Sequence, residues 1–167
     1  VKERYGKDVN EIIASRVRAI NGAVSEKPED LIITMHICRG NFQSTYFAEG
    51  GYDPISDTIF AELDIDGLFL EYDDERSGDF EPLASFKREN QKVVLGLLTS
   101  KFADLEDPEY IKKRIKEASQ YIPLENLAIS PQCGFSSTEE GNLLTEEEQW
   151  NKVKHLIEIA ESVWGEI

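Results

Sequence analysis

The amino-acid sequence predicts an α/β fold in which parallel strands alternate with helices. Four short runs of apolar residues show little polar alternation, as expected of strands that are covered on both faces. Segments with apolar residues at helical spacing separate these runs, and several begin with recognisable capping residues. Because strands and helices alternate along the chain, the strands are expected to pair in parallel within one sheet. The predicted strands are residues 31–38, 67–73, 92–99 and 126–132.

The predicted helices show clear start signals. The first covers residues 8–25 and begins at Asp8, whose carboxylate can cap the free N–H groups of the first turn. Two later helices open with the same dipeptide, Asp53–Pro54 and Asp107–Pro108, which is typical of a cap followed by a first helical position. A shorter helix is expected within EPLASFKREN, residues 81–90.

The closing helix has the most detailed sequence signature. Thr145 and Glu148 form a capping box, in which each side chain accepts a hydrogen bond from the other residue's backbone. Trp150 and Trp164 lie on its apolar stripe, so both are expected to pack in the core. His155, which has acidic residues nearby, is expected on the surface.

Composition narrows the class of protein. The chain has 167 residues, of which 40% are hydrophobic, so residues 1–167 fit one domain with a real core. The 18 basic residues are outnumbered by 33 acidic ones, and a net charge of −15 argues against binding to nucleic acid or anionic membranes. No apolar run is long enough for a transmembrane helix and no signal peptide is recognisable, so a cytoplasmic protein is expected.

Residues with metal-binding side chains follow or end three of the four strands. His36 and Cys38 are two positions apart in the first strand, so they share one face of it. Glu71 ends the second strand and Cys133 follows the fourth. Taken alone, His36 and Cys38 could simply be a hydrogen-bonded histidine and a buried free thiol without a metal. In parallel α/β folds, however, the carboxyl ends of the strands share one edge, and that edge carries the active site.

This set of side chains would suit zinc. One imidazole, two thiolates and a carboxylate form a reasonable tetrahedral ligand set, and the ligands come from separate strands rather than from a zinc-finger spacing. Because a carboxylate ligand can be exchanged for an incoming group, the set favours a catalytic zinc site over a closed structural one. Two thiolates make zinc electron-rich and suited to holding a further thiolate, which is a nucleophile at neutral pH. Alkylation of a substrate thiol is therefore the expected reaction class.

Taken together, the segments HIC, FLEYD and SPQCGF resemble the catalytic barrel of the cobalamin-independent methionine synthases. The resemblance covers residues 30–165 and implies that this chain is the C-terminal half of a TIM (βα)₈ barrel. It also implies that His36, Cys38, Glu71 and Cys133 are zinc ligands. The implied activity is that of a 5-methyltetrahydropteroyltriglutamate–homocysteine methyltransferase, in which zinc activates the homocysteine thiol and a folate supplies the methyl group.

One departure from that family concerns the methyl donor. The family has an Asp-x-His pair at the end of the third strand, which helps to protonate the departing folate, whereas this chain has Thr99 and Lys101 there. Lys101 is the candidate catalytic residue, either holding an anionic substrate group or donating a proton; otherwise it is a solvated loop residue. Because histidine is the better acid near neutral pH, the folate is expected to be a poor donor. Asp73, Asp74 and Arg76 would either bind the substrate amino acid or order their loop.

Other assignments stay open at this point. The longer segment between Cys38 and Glu71 is more like that of single-barrel relatives and of the epoxyalkane–coenzyme M transferases, so the thiol could be coenzyme M. A non-catalytic half-barrel, with a structural zinc or with no metal, could instead serve as an interaction module. Half a barrel would leave two unpaired strand edges, so self-association through those edges is also expected.

Overall fold

The structure is a computed structural model that describes Gly6, residues 8–136 and residues 138–165. Four strands and four α-helices alternate within this part of the chain. The strands are β1 (Thr34–Ile37), β2 (Gly67–Glu71), β3 (Lys92–Leu98) and β4 (Leu127–Pro131). The helices are α1 (Val9–Val24), α2 (Asp53–Glu62), α3 (Pro108–Ala118) and α4 (Glu146–Trp164). Among the described residues, no helix is both long and apolar enough to cross a membrane.

The strands form one parallel sheet in the order β1-β2-β3-β4. This confirms the predicted α/β fold of four parallel strands alternating with helices. The first strand is shorter than predicted, because Leu31 and Ile32 precede it and are 47% and 77% exposed. The end of β3 approaches β4 closely at Gly96. A side chain there would place Cβ 2.7 Å from the Cα atom of Gln132, so only glycine lets the two strand ends meet.

The two faces of the sheet are covered unequally. The residues facing the helices are almost fully buried, and they include Leu68, Leu70, Val93, Leu95 and Leu127. The opposite face, called the open face below, is lined by residues that are neighbours in register: His36, Phe69, Val94 and Ala128. These four side chains are half-buried or exposed. The expectation that both faces would be buried is therefore wrong for the described residues, because their helices cover one face only.

Most helices begin where the sequence analysis predicted. The Asp8 carboxylate accepts a hydrogen bond from the backbone N–H of Asn10, and Asp107 caps α3 in the same way. Both halves of the capping box of α4 are present. The helix α2 differs slightly, since its N-cap is Tyr52 and Asp53 is already helical. The predicted short helix is a 3₁₀ helix, Glu81–Ser85.

The packing of α4 corrects two predictions. Trp150 is 58% exposed, so it is not a core residue, whereas Trp164 is half-buried and packs against the core. His155 is also half-buried, and its Nε2 atom lies 2.7 Å from the backbone oxygen of Glu106. The helix is rotated relative to the predicted stripe, because the side chain of Lys152 is fully buried against Glu106. The predicted apolar stripe gave no sign of this burial.

Candidate metal centre

The four predicted ligands converge at the carboxyl edge of the sheet. His36, Cys38, Glu71 and Cys133 each offer one ligand atom, and these atoms all lie within 4.8 Å of one another. The two sulfur atoms are 3.8 Å apart, and Nε2 of His36 is 3.5 Å from Oε1 of Glu71. Zinc bonds of 2.0–2.3 Å in a tetrahedral site separate neighbouring ligand atoms by about 3.3–3.8 Å. The side chains therefore have the donor chemistry of a zinc site, and these two distances match tetrahedral spacing, while the remaining ligand-atom distances are at most 4.8 Å.

Loop contacts bring ligands together from opposite edges of the sheet. Strands three places apart in a flat sheet are separated by about 14 Å, yet Cys38 follows β1 and Cys133 follows β4. The side-chain amide of Asn41 donates a hydrogen bond of 2.7 Å to the backbone oxygen of Gly134. This contact ties the loop after β1 to the loop after β4. The curvature of the sheet and these two loops thus complete the ligand set.

Glu71 is buried and held as a carboxylate. Its side chain is 1% exposed, and Oε1 accepts a hydrogen bond of 3.0 Å from the backbone N–H of Arg39. Burial alone would raise the pKa of Glu71, but the hydrogen bonds from His36 and from the backbone of Arg39 lower it below its ordinary value. The carboxylate is therefore anionic and fixed in direction near neutral pH, as a metal ligand must be.

The electrostatics of the centre favour a cation. Hydrogen bonds with Cys133 and Glu71 raise the pKa of His36 to about 10. Burial raises the pKa of the Cys38 thiol, although a hydrogen bond from the backbone N–H of Gly40 opposes the shift. The Glu71 carboxylate and the hydrogen bond with Cys133 therefore favour a proton on the imidazole, and a zinc ion would supply positive charge at the same place. The Nδ1 atom of His36 lies 3.2 Å from the backbone oxygen of Phe69, which leaves Nε2 directed at the centre.

Two residues that sequence analysis missed support Glu71. Arg39 donates from Nη1 to the backbone oxygen of Glu71 at 2.7 Å and to the Tyr52 hydroxyl at 3.0 Å. The same hydroxyl accepts a hydrogen bond of 2.9 Å from the backbone N–H of Glu71. Tyr52 is 1% exposed, and burial raises its pKa to about 12. No sequence pattern links Tyr52 to a strand end 19 residues later, whereas the position of Arg39 directly after Cys38 was an available signal.

Lys101 is buried at the same edge of the sheet. The residue is 2% exposed, so the alternative of a solvated loop lysine is wrong. Its ammonium nitrogen lies 3.7 Å from Oδ2 of Asp73 and has no hydrogen-bond partner among the described residues. Asp73 follows the metal-ligand candidate Glu71 by two positions, so Lys101 lies beside the centre rather than within it.

The loop after β2 is ordered by its own charges. Arg76 donates from Nε and Nη2 to Oδ2 of Asp74, both at 2.5 Å, and the Asp74 side chain also accepts from the backbone N–H of Arg76. The Arg76 guanidinium lies 3.9 Å from the centre of the Tyr46 ring. Burial raises the pKa of Asp73, and the charge of Lys101 opposes that shift. These contacts account for the loop-ordering role of the three charged residues.

Comparisons with known proteins place this geometry in a family. The family model described as "Cobalamin-independent synthase, Catalytic domain" matches residues 8–162. Two proteins of Bacillus subtilis, the uncharacterized proteins YxjG and YxjH, are 58% and 57% identical to the chain over 97% and 98% of its length. The chain spans 43% and 44% of those two relatives, so it corresponds to less than half of each.

Solved structures agree with the fold. A candidate vitamin-B12-independent methionine synthase from Listeria monocytogenes is 43% identical, with a TM-score of 0.76 over 96% of this chain and 44% of its own. A B12-independent methionine synthase from Shewanella sp. W3-18-1, solved in complex with selenomethionine, shares the fold at 18% identity and a TM-score of 0.69, over 88% of this chain and 42% of its own. With its parallel sheet, its convergent ligand set and the family match over most of its length, the chain belongs to the cobalamin-independent synthase catalytic-domain family.

Proposed function

We propose that this chain carries the metal site of a zinc-dependent transferase that moves a methyl or another alkyl group to a thiol, with homocysteine as the favoured acceptor and methionine as its product. The observation that supports this most directly is the convergence of four zinc-type ligand atoms within 4.8 Å. Family membership supports methyl transfer to homocysteine as the general reaction. Because the chain spans less than half of its relatives, the activity is proposed for the protein with its substrate site complete.

The ligands have distinct proposed roles. His36, Cys38 and Cys133 would hold the ion, and Glu71 would be the ligand that an incoming thiol can replace. A bound zinc ion would supply the Lewis acidity that keeps a substrate thiol deprotonated at neutral pH. The thiol sulfur then forms a bond to the alkyl carbon while the bond from that carbon to the donor breaks, and the leaving group keeps the electron pair.

Ligand exchange separates a catalytic role from a structural one. A structural zinc site is closed by four protein ligands, whereas a catalytic one needs a path for an added ligand. The His36 side chain is 34% exposed on the open face, and Cys38 is exposed as well. In the part of the chain that the structure describes, two of the four candidate ligands are therefore uncovered.

Metal content and metal coordination test the proposal. The purified protein is expected to contain about one zinc per chain, and Cys133→Ser is expected to lose most of it because one thiolate ligand is removed. The chain's two histidines provide a matched pair, since His36→Gln should lose zinc and His155→Gln should keep it. X-ray absorption at the zinc edge should show an added sulfur ligand with homocysteine. Unchanged coordination would favour the structural-zinc module, and absence of zinc would contradict the proposal.

The choice among thiols needs a separate assay. Alkyl transfer should be compared with homocysteine and with coenzyme M under identical conditions, using the zinc-loaded protein. Turnover with homocysteine alone supports the favoured acceptor, whereas turnover with coenzyme M alone would assign the chain to transfer onto that thiol. Self-association through the strand edges stays a separate proposal, and it predicts a dimer by analytical ultracentrifugation.

A further inference from the structure

We propose that a cleft beside the metal centre binds an anionic group of one substrate, through the side chains of Lys101 and Arg76. The assignment of the anionic group to a substrate rests on the proposed function. The binding of an anion in the cleft does not depend on that function. The cleft has a volume of about 250 Å³. Its lining residues are Ser44, Thr45, Tyr46, Asp74, Arg76, Lys101 and Phe102.

Two of the residues that line the cleft have cationic groups with unfilled hydrogen bonds. The Nζ atom of Lys101 and the Nη1 atom of Arg76 are both buried, and neither has a hydrogen-bond partner among the described residues. A buried donor without an acceptor is costly, and the cost is greater for a charged group. The nearest carboxylate to Lys101 is Asp73, at 3.7 Å, which is beyond hydrogen-bond distance. An entering ligand would supply the missing acceptors.

The acidic neighbours define what kind of ligand fits. Asp74 also lines the cleft, but its Oδ2 atom is already bound to Arg76. Asp73 and Asp74 balance the charges of Lys101 and Arg76, so the empty cleft is close to neutral. Recognition would therefore come from the two unfilled cationic donors rather than from net charge. Carboxylate, sulfonate and phosphate oxygens make the strongest hydrogen bonds to such donors.

The rim indicates that the ligand has an apolar or planar body. Tyr46 and Phe102 line the cleft and are 49% and 55% exposed, so both rings present apolar surface to it. The Arg76 guanidinium stacks on Tyr46, which fixes that ring as a wall. Small-molecule sites commonly combine such apolar walls with a few directed polar groups.

The turn that carries Tyr46 is held in an unusual conformation. Gln43 and Ser44 have φ values of 47° and 63°, in the left-handed region that non-glycine residues rarely adopt. Ser44 is 6% exposed, and its hydroxyl accepts a hydrogen bond of 3.0 Å from the backbone N–H of Leu143. The turn is therefore anchored to the loop before α4 rather than free to move away, which keeps the cleft preformed.

The experiment uses benzoate as the anionic probe and benzamide as its neutral counterpart of the same shape. By isothermal titration calorimetry, benzoate should bind the purified protein with a Kd of about 1–10 mM. Benzamide should bind at least about tenfold more weakly, since it lacks the charge-assisted hydrogen bonds. The titration is done with zinc-loaded and zinc-free protein, and equal affinity in both would place benzoate away from the metal. Binding that needs zinc, or benzamide binding as tightly as benzoate, would overturn the proposal.

Variants locate the binding. Lys101→Met should weaken benzoate binding at least about tenfold, and Lys101→Arg should largely keep it, because the charge and donors remain. The matched control is Lys154→Met, which removes an exposed lysine and should change nothing. If Lys101→Met does not fold, Phe102→Ala tests the same cleft, because its side chain is already half in solvent and its loss should still weaken binding severalfold. Full affinity in Lys101→Met or in Phe102→Ala would contradict the proposal.

Competition during turnover identifies the source of the anionic group. If it belongs to the alkyl donor, benzoate should compete with the donor and not with the thiol; the reverse pattern would assign it to the thiol. Benzoate binding without competition against either substrate would overturn the assignment to a substrate. A protein that binds benzoate but lacks zinc and transferase activity would disprove the proposed function and leave the anion cleft intact, so the two failures are distinguishable.

Discussion

The backbone N–H of Arg39 donates a hydrogen bond of 3.0 Å to the carboxylate of Glu71, which joins the loop after β1 to the end of β2. The Arg39 guanidinium continues the connection to the backbone oxygen of Glu71 and to the hydroxyl of Tyr52. The buried Arg39 therefore positions one candidate ligand, Glu71. It also directly follows a second candidate ligand, Cys38, in the sequence. Substitutions of the residues around the candidate ligands can therefore test the centre, as substitutions of the ligands can.

Tyr52→Phe is expected to weaken the metal centre without removing a ligand. The change leaves the backbone N–H of Glu71 and one N–H of Arg39 without their acceptor, at a cost of about 1–3 kcal/mol in the free energy of unfolding. Zinc affinity should fall about 10–100-fold, as found when groups that orient metal ligands are lost. Competition with a chelator and urea unfolding measure the two effects. Tyr110→Phe, at a tyrosine that is 49% exposed, is the matched control and should change neither.

The metal-free protein is expected to lose stability as pH rises. The pKa of His36 is 6.5 when unperturbed and about 10 in the folded chain, so the protonated imidazole is stabilised by folding. This contribution is fully present below pH 6.5 and is lost as pH rises to about 10, because the folded state then releases its extra proton. Urea unfolding across this range, compared between the metal-free protein and His36→Gln, isolates the effect. Parallel curves for the two proteins would contradict it.

Lys152→Met is expected to destabilise the fold. Lys152 is fully buried and bonds at 2.8 Å to Oε1 of Glu106, which also accepts a hydrogen bond from the backbone N–H of Thr99. Removing the lysine leaves the Glu106 carboxylate poorly compensated, so the free energy of unfolding should fall by about 3 kcal/mol, the lower end of the range for a broken buried pair. Lys154→Met is the control, since its exposed pair should contribute less than about 1 kcal/mol. Equal effects in the two variants would show that burial of Lys152 is energetically unimportant.

The methyl donor is the subject of the fourth prediction. A departing folate nitrogen needs a proton, and a positioned acid contributes about 10²–10⁴-fold to such a step. Because the resemblance implies a histidine at the position of Lys101, we expect slow turnover with methyltetrahydrofolate polyglutamate. Turnover should be faster with a donor that has a better leaving group, or with one whose anion Lys101 can hold. Steady-state assays with homocysteine and several donors measure this. Fast turnover with the folate, unchanged in Lys101→Ala, would show that the substitution has no influence on donor choice.

Local chemistry made much of this protein predictable from its sequence. Buried parallel strands require continuous apolar runs, and helix starts require side chains that satisfy free N–H groups, so the four strands and most caps could be read directly. The candidate ligands could be predicted because the carboxyl ends of parallel strands always meet at one edge. His36 and Cys38 needed only the alternation of side chains along a strand.

Only the tertiary structure determined the features that depend on contacts between distant residues. The curvature that brings Cys38 within 3.8 Å of Cys133, the support of Glu71 by Tyr52 and the burial of Lys101 all arise from loops and strand ends that meet after folding. Periodicity placed Trp150 inside and gave no sign that Lys152 is buried, because it assigns one average face to a helix. The actual face depends on the residues that the helix packs against, and here the half-buried carboxylate of Glu106 pairs with a buried lysine. Such pairings have no local signature, since their energy comes from removing two distant side chains from water together.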